Sequence, residues 1–230
     1  KAAVSCQMTV YTNLLTPPTY PAPANRSMLH DVSLKLAPGD FVAILGASVD
    51  EKSTLLNLIA GLELPDSGTV TLNGTTLNEL DVDARTRWRR RHMGFVFQSY
   101  LLMPHLTALD NAALSLKLNG VSHREAQQRA YAALTAMKLS NGIHRFPSAL
   151  SGEESQRVAV ARAMAHQPQL VLADEPTGNL GDTESKTVLG LLREQIKLQR
   201  SIGILVTQCD IAAAAADRVY RLYHSKLLPA

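Results

Sequence analysis

The stretch "FVAILGASVDEKSTLLNLIAGL", residues 41 to 62, limits what this chain can become more than any other. It opens with a continuous aliphatic run, which suits a strand buried on both faces of a parallel sheet. It closes with Leu55, Leu58, Ile59 and Leu62 on one helical face and Gly61 near the helix end. Between them lies "GASVDEKST", one residue away from a phosphate-binding loop of the form G-x-x-x-x-G-K-[ST]. Gly46, Lys52 and Ser53 stand on their marks, while Glu51 holds the position of the second glycine. A strand before and a helix after are the context such a loop needs, because helix-start amides then face the phosphate.

A second apolar run, "LVLADE", ends in Asp174 and Glu175. At such a strand end one carboxylate can hold Mg²⁺ while its neighbour orients or deprotonates a water. The plainer reading of two acids there is a solvated loop start. "IGILVTQ" reads as a further buried strand, with a helix around "TVLGLLREQIKL" before it. Two strand candidates flank Pro38-Gly39, and "GTVTLNGTTL" reads as a hairpin turning at Asn73-Gly74. Residues 106 to 166 are mostly helical in pattern, and the segment up to about residue 27 is loop-rich, with "TPPTYPAPAN" punctuating it. Strands alternating with helices at both ends imply an α/β core with a helical insertion. No internal repeat or linker divides the chain. The expectation is one domain over residues 1–230, with helices inserted at roughly 98–165.

Bulk properties exclude little. A net charge of +3 demands no nucleic-acid partner, and 46% hydrophobic with 19% charged residues is ordinary for a globular protein. Cys6 and Cys209 give neither a disulfide framework nor a metal motif. No apolar run reaches the roughly 18 residues of a membrane span, and no signal-peptide pattern opens the sequence. A soluble protein of a reducing compartment is the expectation.

Three further stretches, "GFVFQSYLLMPHLTALDNAAL", "LSGEESQRVAVARAMAHQPQLVLADEPTGNL" and "ILVTQCDIAAAAADRVYRL", join the loop at 46–54 in a specific resemblance. The chain resembles an ABC-type ATPase subunit almost end to end, in wording nearest the lipoprotein-release and macrolide-export transporters. The resemblance implies an α/β fold: a P-loop NTPase core with a mostly parallel sheet, an antiparallel β subdomain and a helical subdomain. It also implies a head-to-tail dimer, with itself or a homologous subunit, that sandwiches ATP between one P-loop and the partner's signature loop. A transmembrane permease subunit would be the other partner, at the inner face of a bacterial cell membrane, and no nucleic acid would be bound.

The roles that the resemblance implies fall on named positions. Gly46 would belong to the phosphate loop, Lys52 would reach the β- and γ-phosphates, and Thr54 would contact the α-phosphate region. Mg²⁺ would be held by Ser53, Gln98 and Asp174, and Gln98 would also sense the γ-phosphate. Glu175 would be the general base, Tyr20 would stack on adenine, and Ser151, Gly152 and Gln208 would complete the γ-phosphate site.

The departures from the family text are as informative. Val49 and Glu51 replace glycines of a loop that would read close to "GASGSGKST". Those glycines permit positive φ and close backbone approach. Valine resists left-handed geometry by about 1–2 kcal/mol. A carboxylate about 4 Å from phosphate is repelled by about 4 kcal/mol per unit charge at an effective dielectric near 20, and Asp50 adds a second acid. Glu153 stands in the signature loop where a helix N-terminus should meet phosphate, and it can satisfy that dipole itself. Gly181 replaces a D-loop aspartate, Gln208 the switch histidine, and Cys209 the aspartate after it. Binding weaker than usual and impaired turnover are therefore expected. The alternative is a non-hydrolysing structural or regulatory domain that docks on membrane or ATPase partners.

Three local expectations follow. "FVAILG" should lie beside "LVLADE", with a helix from about Ser53 packed against the sheet. Glu51 should lie near the phosphate cradle and partly occupy it, its carboxylate facing backbone N–H groups or Lys52. The stretch from Gln98 to Asn111 should form a groove for a short helix of the membrane partner through Leu101, Leu102, Met103 and Leu106, or else those residues close the helical subdomain's own core. The basic run "RTRWRRRH" reads as a solvated helix end before the strand "MGFVFQ", and His105 as a surface residue.

Overall fold

The computed structural model describes residues 6–11, 29 and 32–230, with the side chains of 6–11 outside the description. Tyr20 lies outside the described residues. Six strands form one sheet in the order β10-β9-β3-β8-β7-β6: β3 is Phe41–Leu45, β6 Met93–Phe97, β7 Leu170–Asp174, β8 Ile202–Thr207, β9 Arg218–Tyr223 and β10 Lys226–Pro229. All neighbours in it are parallel except the β9–β10 hairpin. A second, antiparallel sheet is built from β1 (Cys6–Tyr11), β2 (Val32–Leu36), β4 (Ser67–Leu72) and β5 (Thr75–Thr76) in the order β2-β1-β4-β5.

The reason "FVAIL" carries no polar alternation is visible in its two faces. Phe41, Ala43 and Leu45 enter a core shared with the helices α3 (Ala108–Leu118), α4 (His123–Ala136), α5 (Gly152–Met164) and α6 (Asp182–Gln199). Val42 and Ile44 enter a second core, with Leu55 and Ile59 of α1 (Val49–Ile59) and with Leu34, Val70 and Leu72 of the antiparallel sheet. A strand covered on both faces must be apolar at every position. The strand pair around Pro38-Gly39 is split between the sheets: β2 belongs to one and β3 to the other. The Asn73-Gly74 turn forms as its residue types require, with φ of 50° and 77°.

Two expectations about the core are corrected. β3 and β7 share the parallel sheet, but "IGILVT" of β8 lies between them and pairs with both. β8 is buried along its whole length, so the centre is its natural place. Helix α1 starts at Val49, about one turn before the expected Ser53. The helical insertion of α3, α4 and α5 occupies the interval between β6 and β7.

Close approach fixes α5 against β6. A Cβ at Gly94 would lie 2.3 Å from the Ala163 backbone oxygen, so only glycine permits this contact. The basic run becomes α2, Val82–His92, with β6 directly after it as the sequence suggests.

Candidate functional site

The loop after β3 is short because α1 consumes most of it. Ser48 is the N-cap, its hydroxyl accepting from Glu51 N at 3.3 Å, and Asp50 and Glu51 occupy the first turn. Without glycine at 49 and 51, helical geometry is the better local solution. The acids there also meet the positive end of the helix dipole. "SVDE" is in fact a helix-start signature, Ser followed three residues later by Glu. That signal was legible in the sequence and places the helix start at 49.

The expectation for Glu51 is corrected in its partner. Its carboxylate accepts from the Ser225 hydroxyl at 3.3 Å, at the tip of the β9–β10 hairpin. Lys52 instead meets Glu175, with Nζ 2.6 Å from Oε1. The reason is helical: adjacent residues point about 100° apart, so Glu51 and Lys52 diverge. Lys52 is 1% exposed, its stem packed on Gly46, where a Cβ would stand 3.3 Å from the lysine Cγ.

Glu175 is the hub of the site. Its other carboxylate oxygen accepts from the Thr207 hydroxyl at 2.9 Å and from Gln208 N at 3.3 Å. Its backbone turns left-handed at φ 44°, held by Glu175 N donating to Val206 O at 2.9 Å. A non-glycine residue in that region stores strain, which the two strand ends on either side maintain. The neighbouring Asp174 carboxyl is pushed up by burial first and then by the Glu175 charge, with Lys52 opposing both.

Lys52, Ser53, Gln98, Asp174, Glu175 and Gln208 line one cleft of about 650 Å³ at the C-terminal ends of the parallel strands. Gln98 is oriented by Asn179: its Nε2 donates to Asn179 Oδ1 at 3.2 Å, and its carbonyl accepts from Asn179 Nδ2 at 3.1 Å. No described residue donates to the Gln98 side-chain oxygen. The Ser53 hydroxyl, the Gln98 side-chain oxygen and the Asp174 carboxylate are hard oxygen donors, the set that suits Mg²⁺ held jointly with phosphates. A cation there would offset the burial and like-charge effects that push Asp174 up. These residues fit the ion. Thr54 follows on α1 but does not line the cleft.

The signature residues are not part of this cleft. Ser151 caps α5, accepting from Glu154 N at 3.1 Å, while Ser151 N donates to Glu154 Oε2 at 2.9 Å. The Arg145 guanidinium, then the Ser151 backbone, hold the Glu154 carboxyl below its usual range. Glu153 pairs with Arg157 along the helix instead. The helix end is therefore satisfied from within as expected, by Glu154 rather than Glu153. Gly152 packs beside Tyr100, whose hydroxyl would be 3.0 Å from a Cβ at that position. Gly181 stands at the N-cap of α6 and donates its N–H to Glu184 Oε2 at 3.0 Å. Cys209 is an exposed free thiol.

The four apolar side chains after Gln98 differ in burial. Leu102 packs against the helical-side core, Leu106 is half-buried, and Leu101 and Met103 are exposed. Leu101 also lines an apolar groove of about 420 Å³ between α2, β6, α3 and α5, with Phe95, Leu114 and Leu118. Two residues absent from the sequence-based site hold this loop. Asn111, fully buried, receives Met103 N at 2.7 Å and donates to the oxygens of Met103, Leu106 and Thr107. Arg162 donates to the oxygens of Tyr100 and Leu101, both left-handed. A lone Asn inside an apolar helical stripe, as in "ALDNAAL", was the available signal for the first.

The profile of the ABC transporter family matches residues 29–178. The chain is 43% identical over 205 residues to an uncharacterized ABC transporter ATP-binding protein of Mycobacterium tuberculosis, covering 89% of this chain and 83% of that one. It is 42% identical to the lipoprotein-releasing system ATP-binding protein LolD of Pseudomonas syringae, covering 90% and 92%. It is 39% identical to the macrolide export ATP-binding/permease protein MacB of Salmonella typhimurium, covering 88% of this chain and 31% of that one. Among solved structures, it superposes with TM-score 0.81 and 32% identity, over 96% of both chains, on a dimeric ATP-binding cassette in a post-hydrolysis state bound to ADP and Pi.

Proposed function

The chain belongs to the ABC transporter family as an ATP-binding domain, and we propose that it couples ATP binding in the Lys52–Asp174 cleft to an export or lipoprotein-extraction transporter. The observation that carries this is the convergence of Lys52, Ser53, Gln98, Asp174, Glu175 and Gln208 on one cleft at the strand ends. Lys52 would face the β- and γ-phosphates, and Thr54 the α-phosphate region. Ser53, Asp174 and Gln98 would hold Mg²⁺, which when bound neutralises charge on the β- and γ-phosphate oxygens. Glu175 would accept the proton of the attacking water, and Gln208 would donate a hydrogen bond to the γ-phosphate. Tyr20 is proposed to stack on adenine. Ser151 and Gly152 would serve the site of a second, head-to-tail subunit, consistent with their lying outside the cleft that Lys52 lines.

Binding and turnover are proposed to be weak. The first turn of α1 fills the loop where phosphate would be cradled, and Glu175 engages the Lys52 ammonium. ATP must separate that pair and unwind Val49 to Glu51. Glu175 must also leave Lys52 before it can take a proton. This supports the second reading, a domain that docks and regulates without turning over. The partner would be a transmembrane permease at the inner face of a bacterial cell membrane, seated on the groove beside Leu101. Among the described residues no helix is long and apolar enough to cross a membrane.

Calorimetry with Mg-ATP on the chain and on Lys52→Ala tests the cleft. The proposal expects weak binding that Lys52→Ala removes; equal binding by both would overturn it. ATP turnover measured with the permease in proteoliposomes then separates the two readings.

A further inference from the structure

Two strand ends bring the tip of the last hairpin over the loop that precedes α1. β9 pairs with β3 in parallel, with Arg221 opposite Leu45, the last residue of β3. Three residues beyond them in sequence stand His224 and Ser48. Leu222, 5% exposed, closes on Gly46, where a Cβ would lie 3.3 Å from the leucine Cβ. β9 then turns back into β10 with Tyr223 opposite Lys226, so His224 and Ser225 form a two-residue turn. Both are left-handed, with φ of 45° and 63°. Such a turn favours Asn-Gly or Asp-Gly, and serine at its second position is held under strain.

Glu51 meets that tip. Among the described helices, four carry glutamate at the third position after the N-cap: Glu51 in α1, Glu125 in α4, Glu154 in α5 and Glu184 in α6. Glu154 and Glu184 accept from the backbone N–H of their own N-caps, and Glu125 pairs with Arg129 one turn along. Glu51 alone of the four leaves its helix, accepting from the Ser225 hydroxyl at 3.3 Å. The turn it belongs to has little else to hold it. Val49 is 60% exposed and Asp50 is exposed, so burial contributes little there. Ser48 accepts from Glu51 N at 3.3 Å through its hydroxyl and from Lys52 N at 3.4 Å through its carbonyl, both long for such bonds. A helix start held this loosely gains most from an anchor on another element.

We infer that Ser225 is a positioning residue for nucleotide binding: through Glu51 it latches the first turn of α1 closed across the phosphate loop. This rests on the reading that phosphate binds beside Lys52. Nucleotide binds only with that turn opened, so its apparent affinity is reduced by the fraction of molecules in the open form. Releasing the latch raises that fraction. A purely structural role for Ser225, in shaping the β9–β10 turn, predicts no such gain, because glycine suits a φ of 63° better than serine does.

Ser225→Gly keeps the turn geometry and removes the donor. Ser225→Asn keeps both, because asparagine tolerates the left-handed region and carries an amide donor. Calorimetry with Mg-ATP on the full chain should show Ser225→Gly binding about three- to tenfold more tightly than the parent, the worth of one hydrogen bond to a partly exposed carboxylate. Ser225→Asn should stay within about twofold of the parent. In a Glu51→Ala background, Ser225→Gly should change nothing. Hydrogen exchange at the Glu51 and Lys52 amides, read without nucleotide, should quicken by the same factor in Ser225→Gly, with no fall in its thermal midpoint. Parent-like affinity and exchange in Ser225→Gly would overturn the inference. So would a gain that persists without Glu51, or an equal gain in Ser225→Asn. Absence of Mg-ATP binding in every variant would sink the cleft reading, whereas unchanged exchange would sink the latch, so the two failures are separate.

Discussion

The Lys52 ammonium and the Glu175 carboxylate lie 2.6 Å apart, joining the first helix to the end of β7. The lysine is fully buried, and the glutamate also binds Thr207 and Gln208 N. An internal carboxylate thus occupies the position that the proposed function gives to a phosphate oxygen. The sequence reading assigned such a role to Glu51; the fold gives it to the residue read as the general base.

Replacing Glu175 with Gln should therefore have two opposite effects. Breaking a buried pair costs about 3–5 kcal/mol, and the low end is expected here because Glu175 is part-exposed and Asp174 remains beside the buried Lys52. Nucleotide affinity should rise several-fold, because phosphate no longer competes with an anion for Lys52. Thermal unfolding with and without ATP measures both. A variant of unchanged stability and unchanged affinity would contradict the ion pair's role.

The signature helix offers a cleaner stability test. Ser151→Ala removes the cap of α5 and should lower stability by about 1 kcal/mol in urea denaturation. Glu153→Gly should change it by less, since Glu153 serves only the Arg157 pair on the helix flank. The reverse ranking would mean that Glu153, not Ser151 with Glu154, satisfies the helix end.

How much of this was legible before the fold can be judged residue by residue. "FVAIL" and "LVLAD" announced buried strands, because burial on two faces forces an unbroken apolar run, and the acids at 174 and 175 line the candidate cleft. The position of β8 between them was not legible, because periodicity says that a strand is buried but not which neighbour buries it. The helix start at Val49 was written in "SVDE", a capping signature that overlaps the glycine-loop pattern. The Lys52–Glu175 pair joins residues 123 positions apart, and no spacing rule reaches that far.

Asn111 should be the most sensitive position in the loop after Gln98. It is fully buried and holds the 103–107 segment through four hydrogen bonds. Asn111→Ala leaves the Met103 N–H and the Leu106 oxygen without a partner, while the Met103 and Thr107 oxygens keep their backbone donors Leu106 N and Asn111 N, so a loss of about 2–3 kcal/mol is expected. Hydrogen exchange at Met103 should quicken in the variant. Unchanged exchange and stability would show that the loop is held elsewhere.

Acid should weaken the junction of β3, α6 and β9 through Asp217. Burial pushes this carboxyl up, but hydrogen bonds from Lys197, Arg193 and Phe41 N outweigh it and hold it at about 2. A depressed folded-state value means the contribution is complete above the unfolded carboxyl's ordinary value, about 3.9, and is lost as pH falls toward 2. Asp217→Asn should be less stable at neutral pH and lose less on acidification across that window. Parallel pH profiles for the two proteins would contradict this assignment.

The first turn of α1, from Val49 to Glu51, is proposed to close the phosphate cradle. This is tested most directly by calorimetry with Mg-ATP on the chain and on a Val49→Gly, Glu51→Gly variant side by side. Glycines destabilise that helical turn and remove one carboxylate, so the variant should bind at least about tenfold more tightly, with turnover still low until Glu153, Gly181 and Gln208 are also exchanged. Equal affinity in the two proteins would contradict the claim.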